Sequence, residues 1–234
     1  MNSTKAAKKD VDSFIPADES PLYLLFFGLT AQILFRFHFH QVLIANRYRG
    51  YHNRRTLYYA NHTSWWDGLI PLLLNRKIFR QRARALMEDK QMRRYPFFRK
   101  LGAFSVNLSD KRSLPSTLSQ SLDTLKREKG ALYLYPEGEI RPFSSQDLTF
   151  EKGLAWILKR CDPALVDAVP VSIYMHTAFS SRPQLNIHIG EPVPYSPEME
   201  ISELNRMLEE RLCNDLQETA KLAFHHKEEF EIRV

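Results

Sequence analysis

Cysteine is almost absent from this chain: Cys161 and Cys213 are the only two among 234 residues. They lie far apart, with neither a Cys-x-x-Cys pair nor a flanking histidine cluster, which excludes a disulfide scaffold and a cysteine zinc site and points to a reduced, cytosolic setting. Both read as packing residues, and the sequence offers no metal-ligand set. Internal repeats and low-complexity stretches are also missing. Nothing matches a zinc finger, an RNA-recognition motif or a basic zipper, which argues against nucleic acid as a partner. No Gly-x-Ser-x-Gly segment occurs, so the nucleophile elbow of a serine hydrolase is excluded. Long uncharged runs are lacking too. Residues 21–35 carry no charge, but at about 1.5 Å per helical residue they reach roughly 22 Å, short of a hydrocarbon core of about 30 Å. Lys5, Lys8 and Lys9 precede that run, yet Asp10, Asp12, Asp18 and Glu19 intervene and no small-residue cleavage site is evident, so a secretory signal is not expected.

The composition that remains, with 44% hydrophobic residues, suits one substantial core and a single α/β body. The net charge of +6 is unevenly placed. Residues 76–100 hold ten Lys or Arg against Glu88 and Asp89, while the last forty residues carry more acid than base. Such a cluster suits an anionic membrane or a phosphorylated cofactor. Residues 20–46 read as one bent helix or a helical pair lying in one membrane leaflet, with a buried core helix as the competing reading. Arg47, Arg49, Arg54 and Arg55 follow at once, where they would face phospholipid headgroups on the cytoplasmic side.

The segment with the most chemistry is Asn61-His62-Thr63-Ser64-Trp65-Trp66-Asp67. A histidine ring held by a carboxylate can take a proton from a hydroxyl, so this segment offers a general base. Residues 56–60 alternate like a strand, and residues 67–74 read as a helix, with Ser64 and Asp67 spaced as a capping box. On a helix, positions five apart point roughly 140° away from each other, so the two side chains meet only if His62 lies in the turn outside it. The competing reading is a solvated turn histidine and an aspartate that only caps the helix.

Further along, residues 82–87 read as a strand, 89–94 as a helix stopped by Pro96, and 103–108 as the next strand. Leu114, Leu118, Leu122 and Leu125 form a helical core stripe closed by Gly130. Residues 131–135 read as a buried strand that delivers Pro136-Glu137-Gly138 into a loop, where Gly138 permits a tight backbone and close ligand approach. Strands over 168–174 and 184–189 and a helix over 202–225 complete the pattern. Alternating strands and helices predict an α/β fold with a largely parallel central sheet flanked by helices. Functional loops should gather at the carboxyl ends of its strands.

Five segments in order resemble the PlsC-like glycerolipid acyltransferases, the lysophosphatidic acid acyltransferase superfamily. Asn61 with His62-x4-Asp67 is similar to the family's first block. Ala85-Leu86-Met87, Pro96 and Leu101-Gly102-Ala103-Phe104-Ser105-Val106-Asn107 resemble the second. Tyr135-Pro136-Glu137-Gly138 with Arg141 resembles the third, the family's Pro-Glu-Gly-Thr-Arg. Phe150-Glu151-Lys152-Gly153, then Val169-Pro170-Val171 and Ile189-Gly190-Glu191-Pro192, follow as in the family. The likeness runs from about residue 22 to the C-terminal helix. Two departures concern the acceptor. The second block commonly ends in Asp-Arg, whose arginine grips the acceptor phosphate, but here Asn107-Leu108 stands; and Glu139-Ile140 replaces one threonine, displacing Arg141 by a residue. Lys111 or Arg112 would have to replace the missing guanidinium.

The resemblance implies a domain order of an N-terminal tail and monotopic membrane-anchoring segment over 1–46 and an acyltransferase α/β domain over 47–234. It implies O-acyl transfer from acyl-CoA or acyl carrier protein to a hydroxyl of a lysophospholipid or related lipid, at the cytoplasmic face of a membrane, with no further cofactor. His62, oriented by Asp67, would be the general base. Substrate contact would fall to Asn61, Gly102, Glu137, Gly138, Arg141 and Lys152, and Arg141 would grip anionic oxygens through paired hydrogen bonds. Backbone N–H groups near Ser64 and Trp65 are candidate oxyanion donors. Trp65 and Trp66 would line an acyl groove or seat the helix. The departures leave open a non-phosphorylated acceptor, such as a hydroxylated isoprenoid, glycolipid or polyol. A non-catalytic membrane-binding relative is the other alternative.

Overall fold

The structure is a computed structural model and describes residues 14–107, 110–143, 148–225 and 227–233. The N-terminal lysines and Leu108 therefore lie outside the described residues. The elements run α1 (Pro21–His38), β1 (Gln41–Asn46), β2 (Arg55–Ala60), α2 (Ile70–Leu74), β3 (Arg82–Glu88), α3 (Asp89–Arg94), β4 (Ala103–Val106), α4 (Leu114–Lys126), β5 (Gly130–Leu134), α5 (Gly153–Leu158), β6 (Val166–His176), β7 (Gln184–Ile189), α6 (Ile201–His225) and β8 (Ile232–Arg233). The strands form one sheet in the order β4-β3-β5-β2-β6-β7-β1-β8. Neighbours are parallel except at β6/β7 and β1/β8. This is the expected α/β architecture with a largely parallel sheet.

Because both faces are covered, the strands read as almost continuous apolar runs, and alternate residues feed different cores. Tyr58 and Ala60 of β2 enter a core shared with Phe35 of α1 and Leu73 of α2. Leu57 and Tyr59 enter a second core with Leu154 of α5 and Leu208 of α6.

The helical reading of residues 41–46 is corrected: they form β1, pairing with β7 through Val42↔Leu185 and Ile44↔Ile187. The boundary placed after residue 46 therefore moves back to the link between His38 and Gln41, and β1 belongs to the sheet. Val42 and Ile44 enter the first core, while Leu43 and Ala45 pack with Leu222 and Phe230 on the other face. A short apolar strand buried on both faces has no period to separate it from a helix. β8, which pairs with β1, was not expected at all.

Helix α1 buries Gly28, Ala31 and Phe35 against the body, so the core-helix reading holds for one of its faces. The opposite face exposes Leu22, Phe26, Leu29, Ile33 and Phe37. No helix among the described residues is long and apolar enough to cross a membrane. The α4 stripe also differs from expectation. Its buried face is Thr117, Ser121, Thr124 and Leu125, whereas Leu118 and Leu122 are only partly buried against the second core. The hydroxyls are satisfied locally: Thr117 donates to the Ser105 carbonyl of β4 at 2.9 Å and Ser121 to the Thr117 carbonyl at 2.8 Å.

Residues 15–20 run along the outer edge of β4. Ser105 N–H donates to the Ile15 carbonyl at 2.9 Å, and Asp18 and Ser20 N–H donate to the Arg99 and Lys100 carbonyls at 2.9 Å. The strap covers an edge that would otherwise present unpaired backbone groups. Glu19 fastens it, pairing with Arg84 at 2.5 Å and Arg127 at 2.7 Å. Much of the basic cluster is spent in this way, for Asp18 also holds Lys100 at 2.6 Å and Asp89 lies 3.8 Å from Arg93. The arginines expected to face headgroups are likewise engaged. Arg47 pairs with Glu218, Arg49 with Glu231 and Arg54 with Asp167, and Arg55 donates to the Arg127 carbonyl.

Candidate active site

β2 stops at Ala60, but its hydrogen-bond pattern continues one residue further through a side chain. The Asn61 carboxamide donates to the Ile173 carbonyl at 2.9 Å and accepts from Ile173 N–H at 2.8 Å. Both polar ends of this buried residue are thus committed to β6. Asn61, expected to touch substrate, has its carboxamide bonded to Ile173 and anchors the start of the His62 turn.

The next residues wrap around one carboxylate. Asp67 Oδ2 accepts from Thr63 N–H at 2.6 Å and Ser64 N–H at 2.8 Å, and Oδ1 accepts from the Ser64 hydroxyl at 2.8 Å. His62 Nδ1 lies 3.0 Å from Oδ2. Ser64 and Asp67 form the expected capping box, and they start a 3-10 turn over Trp65–Leu69 that leads into α2. Asp67 is fully buried, whereas the His62 side chain is 21% exposed. A carboxylate only accepts, so Nδ1 carries the proton and Nε2 keeps a lone pair. Nε2 has no hydrogen-bond partner among the described residues. Capping and histidine orientation, posed as alternatives by the sequence, are performed by the same carboxylate.

A second loop grips the turn from above. β5 runs parallel to β2, so its carboxyl end opens beside His62. Tyr135 stacks on the His62 ring with centroids 4.6 Å apart and planes at 27°, and its hydroxyl donates to the Asp67 carbonyl. Glu137 Oε1 accepts the His62 backbone N–H at 2.8 Å, and Arg141 N–H donates to the His62 carbonyl at 2.9 Å. Both backbone polar groups of the histidine are therefore held by residues 137–141. Gly138 has φ 75°, a left-handed conformation that glycine adopts without strain, and its N–H closes the turn onto the Tyr135 carbonyl at 3.0 Å. Burial raises the Glu137 carboxyl above its ordinary value, against the opposing pull of the His62 N–H and the Arg141 charge. Tyr135 escaped the assignment of site residues. Its signal was the alternation Tyr133-x-Tyr135, which puts an aromatic ring on the histidine's side of the strand end.

The other expected site residues are placed less centrally. The Arg141 guanidinium pairs with Glu139, the inserted residue, at 3.0 Å, and both side chains are exposed. Lys152 is exposed ahead of α5 and its ammonium has no partner among the described residues, while its neighbour Glu151 ties this segment to the third-block loop by donating to the Pro136 carbonyl at 2.7 Å. Gly102 lies away from the turn. It precedes Ala103, which is level with Ala85, Tyr133 and Tyr58, so Gly102 lies three residues below the end of β2. Its requirement is structural, with φ 91° and a Cβ position only 2.9 Å from the Ala83 carbonyl oxygen. Asn107 donates to Asp89 at 3.1 Å, and Arg112 is bound to Asp110 at 2.8 Å. The Lys111 side chain lies outside the described residues.

Two expectations about the turn also change. Ser64 N–H is committed to Asp67 and so is not an oxyanion donor. The N–H groups of Trp65 and Trp66 have no partner among the described residues. Trp66 packs between Phe35, Phe39 and His38 and seats the end of α1, whereas Trp65 is exposed beside the histidine.

The model of the Acyltransferase family matches residues 38–174. No curated protein matches the chain. Among solved structures, the crystal structure of the 1-acyl-sn-glycerophosphate (LPA) acyltransferase PlsC from Thermotoga maritima superimposes with a TM-score of 0.56, at 21% identity, over 83% of this chain and 79% of that one. At that identity the likeness speaks for a shared fold. The family match covers more than half of the chain and contains the His62 turn, the Glu137 loop and the strands that carry them: the protein belongs to the Acyltransferase family, with a PlsC-like fold, and is an acyltransferase enzyme.

Proposed function

We propose that the protein transfers a fatty acyl group from a thioester donor, acyl-CoA or acyl carrier protein, to a hydroxyl of a lysophospholipid-type acceptor, with His62 as general base. The observation that carries this reading is the 3.0 Å contact of His62 Nδ1 with the buried Asp67 carboxylate, which leaves Nε2 open. Nε2 takes the acceptor's hydroxyl proton as that oxygen attacks the thioester carbonyl. A carbon–oxygen bond forms, the carbon–sulfur bond breaks, and the leaving thiolate collects the proton from the imidazolium. Asp67 steadies the cation while it exists. A positioned base contributes about 10²- to 10⁴-fold. The N–H groups of Trp65 and Trp66 are the donors left to meet the oxyanion.

The same reading places the enzyme on a membrane, at its cytoplasmic face. Leu22, Phe26, Leu29, Ile33 and Phe37 recur at helical spacing along the exposed side of α1, a stripe about 22 Å long at 1.5 Å per residue. An apolar stripe of that length, exposed among the described residues, suits a helix lying in one leaflet.

A non-phosphorylated acceptor is the second reading, favoured by the pairing of Arg141 with Glu139, Arg112 with Asp110 and Asn107 with Asp89. The test is thiol release from acyl-CoA by detergent-solubilised protein, with lysophosphatidic acid set against neutral hydroxyl lipids and with wild type set against His62→Ala. Turnover that survives in His62→Ala refutes the base assignment. Turnover with neutral lipids alone selects the second acceptor class.

A further inference from the structure

Behind the sheet from the His62 turn, α6 packs across β6 and β7, and a polar cluster is enclosed there. His188, the last residue but one of β7, is 1% exposed, and neither of its ring nitrogens has a hydrogen-bond partner among the described residues. An orphaned buried polar group costs about 1–3 kcal/mol, so an imidazole with two orphaned nitrogens needs an explanation. Asp215 and Glu218 sit three apart on α6, one face of a helix, and turn toward it. One nitrogen or oxygen of each of the three residues lies within 4.8 Å of the other two.

The surroundings make room for this arrangement. Gly190 shares a sheet face with His188, and a Cβ there would come within 2.5 Å of Asp215 Oδ2, so the glycine admits the carboxylate. The resemblance to known sequences marks Ile189-Gly190-Glu191-Pro192 only as a strand and turn; the close approach gives its glycine a physical purpose. Arg211 holds Asp215 at 3.0 Å, and Arg47 holds Glu218 at 2.6 Å with both side chains partly exposed. The cluster thus opens to water through a surface ion pair worth roughly 0–1 kcal/mol, which an incoming cation can displace at little cost.

We propose that His188, Asp215 and Glu218 bind one divalent transition-metal ion of the zinc class, clasping α6 to β7. One imidazole and two carboxylates are ligand types that zinc accepts, a water would complete four-coordination, and the imidazole selects against magnesium and calcium. Metal–ligand distances of about 2.0–2.2 Å require donors roughly 3.4 Å apart, so the side chains close by about one ångström as Glu218 exchanges Arg47 for the metal. Two carboxylates neutralise the dication, and Arg47 returns to solvent. The site lies on the opposite sheet face from His62 and would brace the fold rather than join acyl transfer.

The test uses the full chain, stripped with a chelator and dialysed against zinc chloride, with bound zinc measured by atomic emission. Wild type should retain one equivalent and unfold at a higher temperature with zinc than without it. His188→Gln and Glu218→Gln should each weaken zinc binding by roughly ten- to hundred-fold or more, while Asp123→Asn on α4 leaves it unchanged. Cobalt in place of zinc should give ligand-field bands without thiolate charge transfer, which separates the site from Cys213. Absence of bound zinc overturns the proposal, as does zinc that persists in both variants. Glu218 is partly exposed, so its variant stays informative if His188→Gln fails to fold.

Discussion

Replacing Asp67 by asparagine and by alanine separates what this carboxylate does for the fold from what it does for the chemistry. In the folded protein Oδ2 accepts three N–H donors and Oδ1 one hydroxyl. An asparagine whose amide oxygen takes the Oδ2 position still accepts from Thr63, Ser64 and His62, and its amide nitrogen can donate to the Ser64 hydroxyl. Asp67→Asn should therefore stay within about 1 kcal/mol of wild type in urea unfolding. Asp67→Ala strands the Thr63 and Ser64 N–H groups at about 1–3 kcal/mol each. Partial exposure of that turn keeps the total at about 2–4 kcal/mol, a large part of a typical margin of 5–15.

Activity should follow a different order. At 3.0 Å from Asp67, an imidazolium gains about 5 kcal/mol from the full negative charge at an effective dielectric of 20. An amide dipole recovers part of it. If half or more is lost, turnover falls by about 10²- to 10⁴-fold, since each 1.36 kcal/mol is tenfold. Asp67→Asn should then be nearly as stable as wild type and nearly as inactive as Asp67→Ala. The assay is thioester cleavage at saturating donor beside an unfolding curve on the same preparation. Wild-type turnover in Asp67→Asn would refute the electrostatic role of the carboxylate and leave only its capping role.

Two more outcomes follow from the outer parts of the molecule. Burial raises the Glu19 carboxyl, but its bonds to Arg84 and Arg127 outweigh that and hold it at about 2, against 4.5 ordinarily. A depressed carboxyl contributes stability that is present above its unfolded value and lost as pH falls from about 4.5 toward 2, on the order of 3 kcal/mol. Glu19→Gln should remove that acid-sensitive component, seen as a shallower loss of urea midpoint between pH 5 and pH 3 (about one transition width). On α1, Phe26→Glu with Phe37→Glu should abolish flotation with phospholipid vesicles while leaving the unfolding midpoint close to wild type, since both side chains are exposed. Undiminished flotation would remove this helix face from membrane binding.

The sequence showed most clearly those features that local chemistry alone produces. The Ser64–Asp67 box and the turn position of His62 follow from spacing, and both are present. The α3 and β7 boundaries fall where turn residues and periodicity place them. Residues 41–46 failed because an apolar run between polar ends fits either period, and only pairing with β7 decides it. The bonds of Asn61 to Ile173 were not legible because a carboxamide that continues a ladder looks, in one dimension, the same as one that touches a ligand. The partner of Arg141 was hidden for a related reason. Glu137 and Glu139 are both near in sequence, and the left-handed turn at Gly138 directs Glu137 inward and leaves Glu139 with the guanidinium. Ile173 and the cluster around His188 depend on contacts across the sheet, which no linear spacing records.

The third block acquires a role from these contacts that differs from substrate binding. His62 is a single residue in a turn, and a base displaced by about an ångström can lose 10²-fold in rate. Its N–H and carbonyl are fixed by Glu137 and by the Arg141 backbone, and its ring by Tyr135 and Asp67. On the proposed function, Glu137 would be a positioning residue whose useful property is an acceptor oxygen at 2.8 Å. Because burial raises this carboxyl, its charge is a cost to the fold and an uncharged acceptor is at no disadvantage. Glu137→Gln keeps the oxygen and should retain turnover within a few-fold. Glu137→Ala leaves the His62 N–H without its partner and frees the turn, so turnover should fall by about 10²-fold with a smaller change in KM. Equal damage by both variants would mean that the negative charge itself is used, and would return Glu137 to the substrate contacts from which the hydrogen bond to His62 removes it.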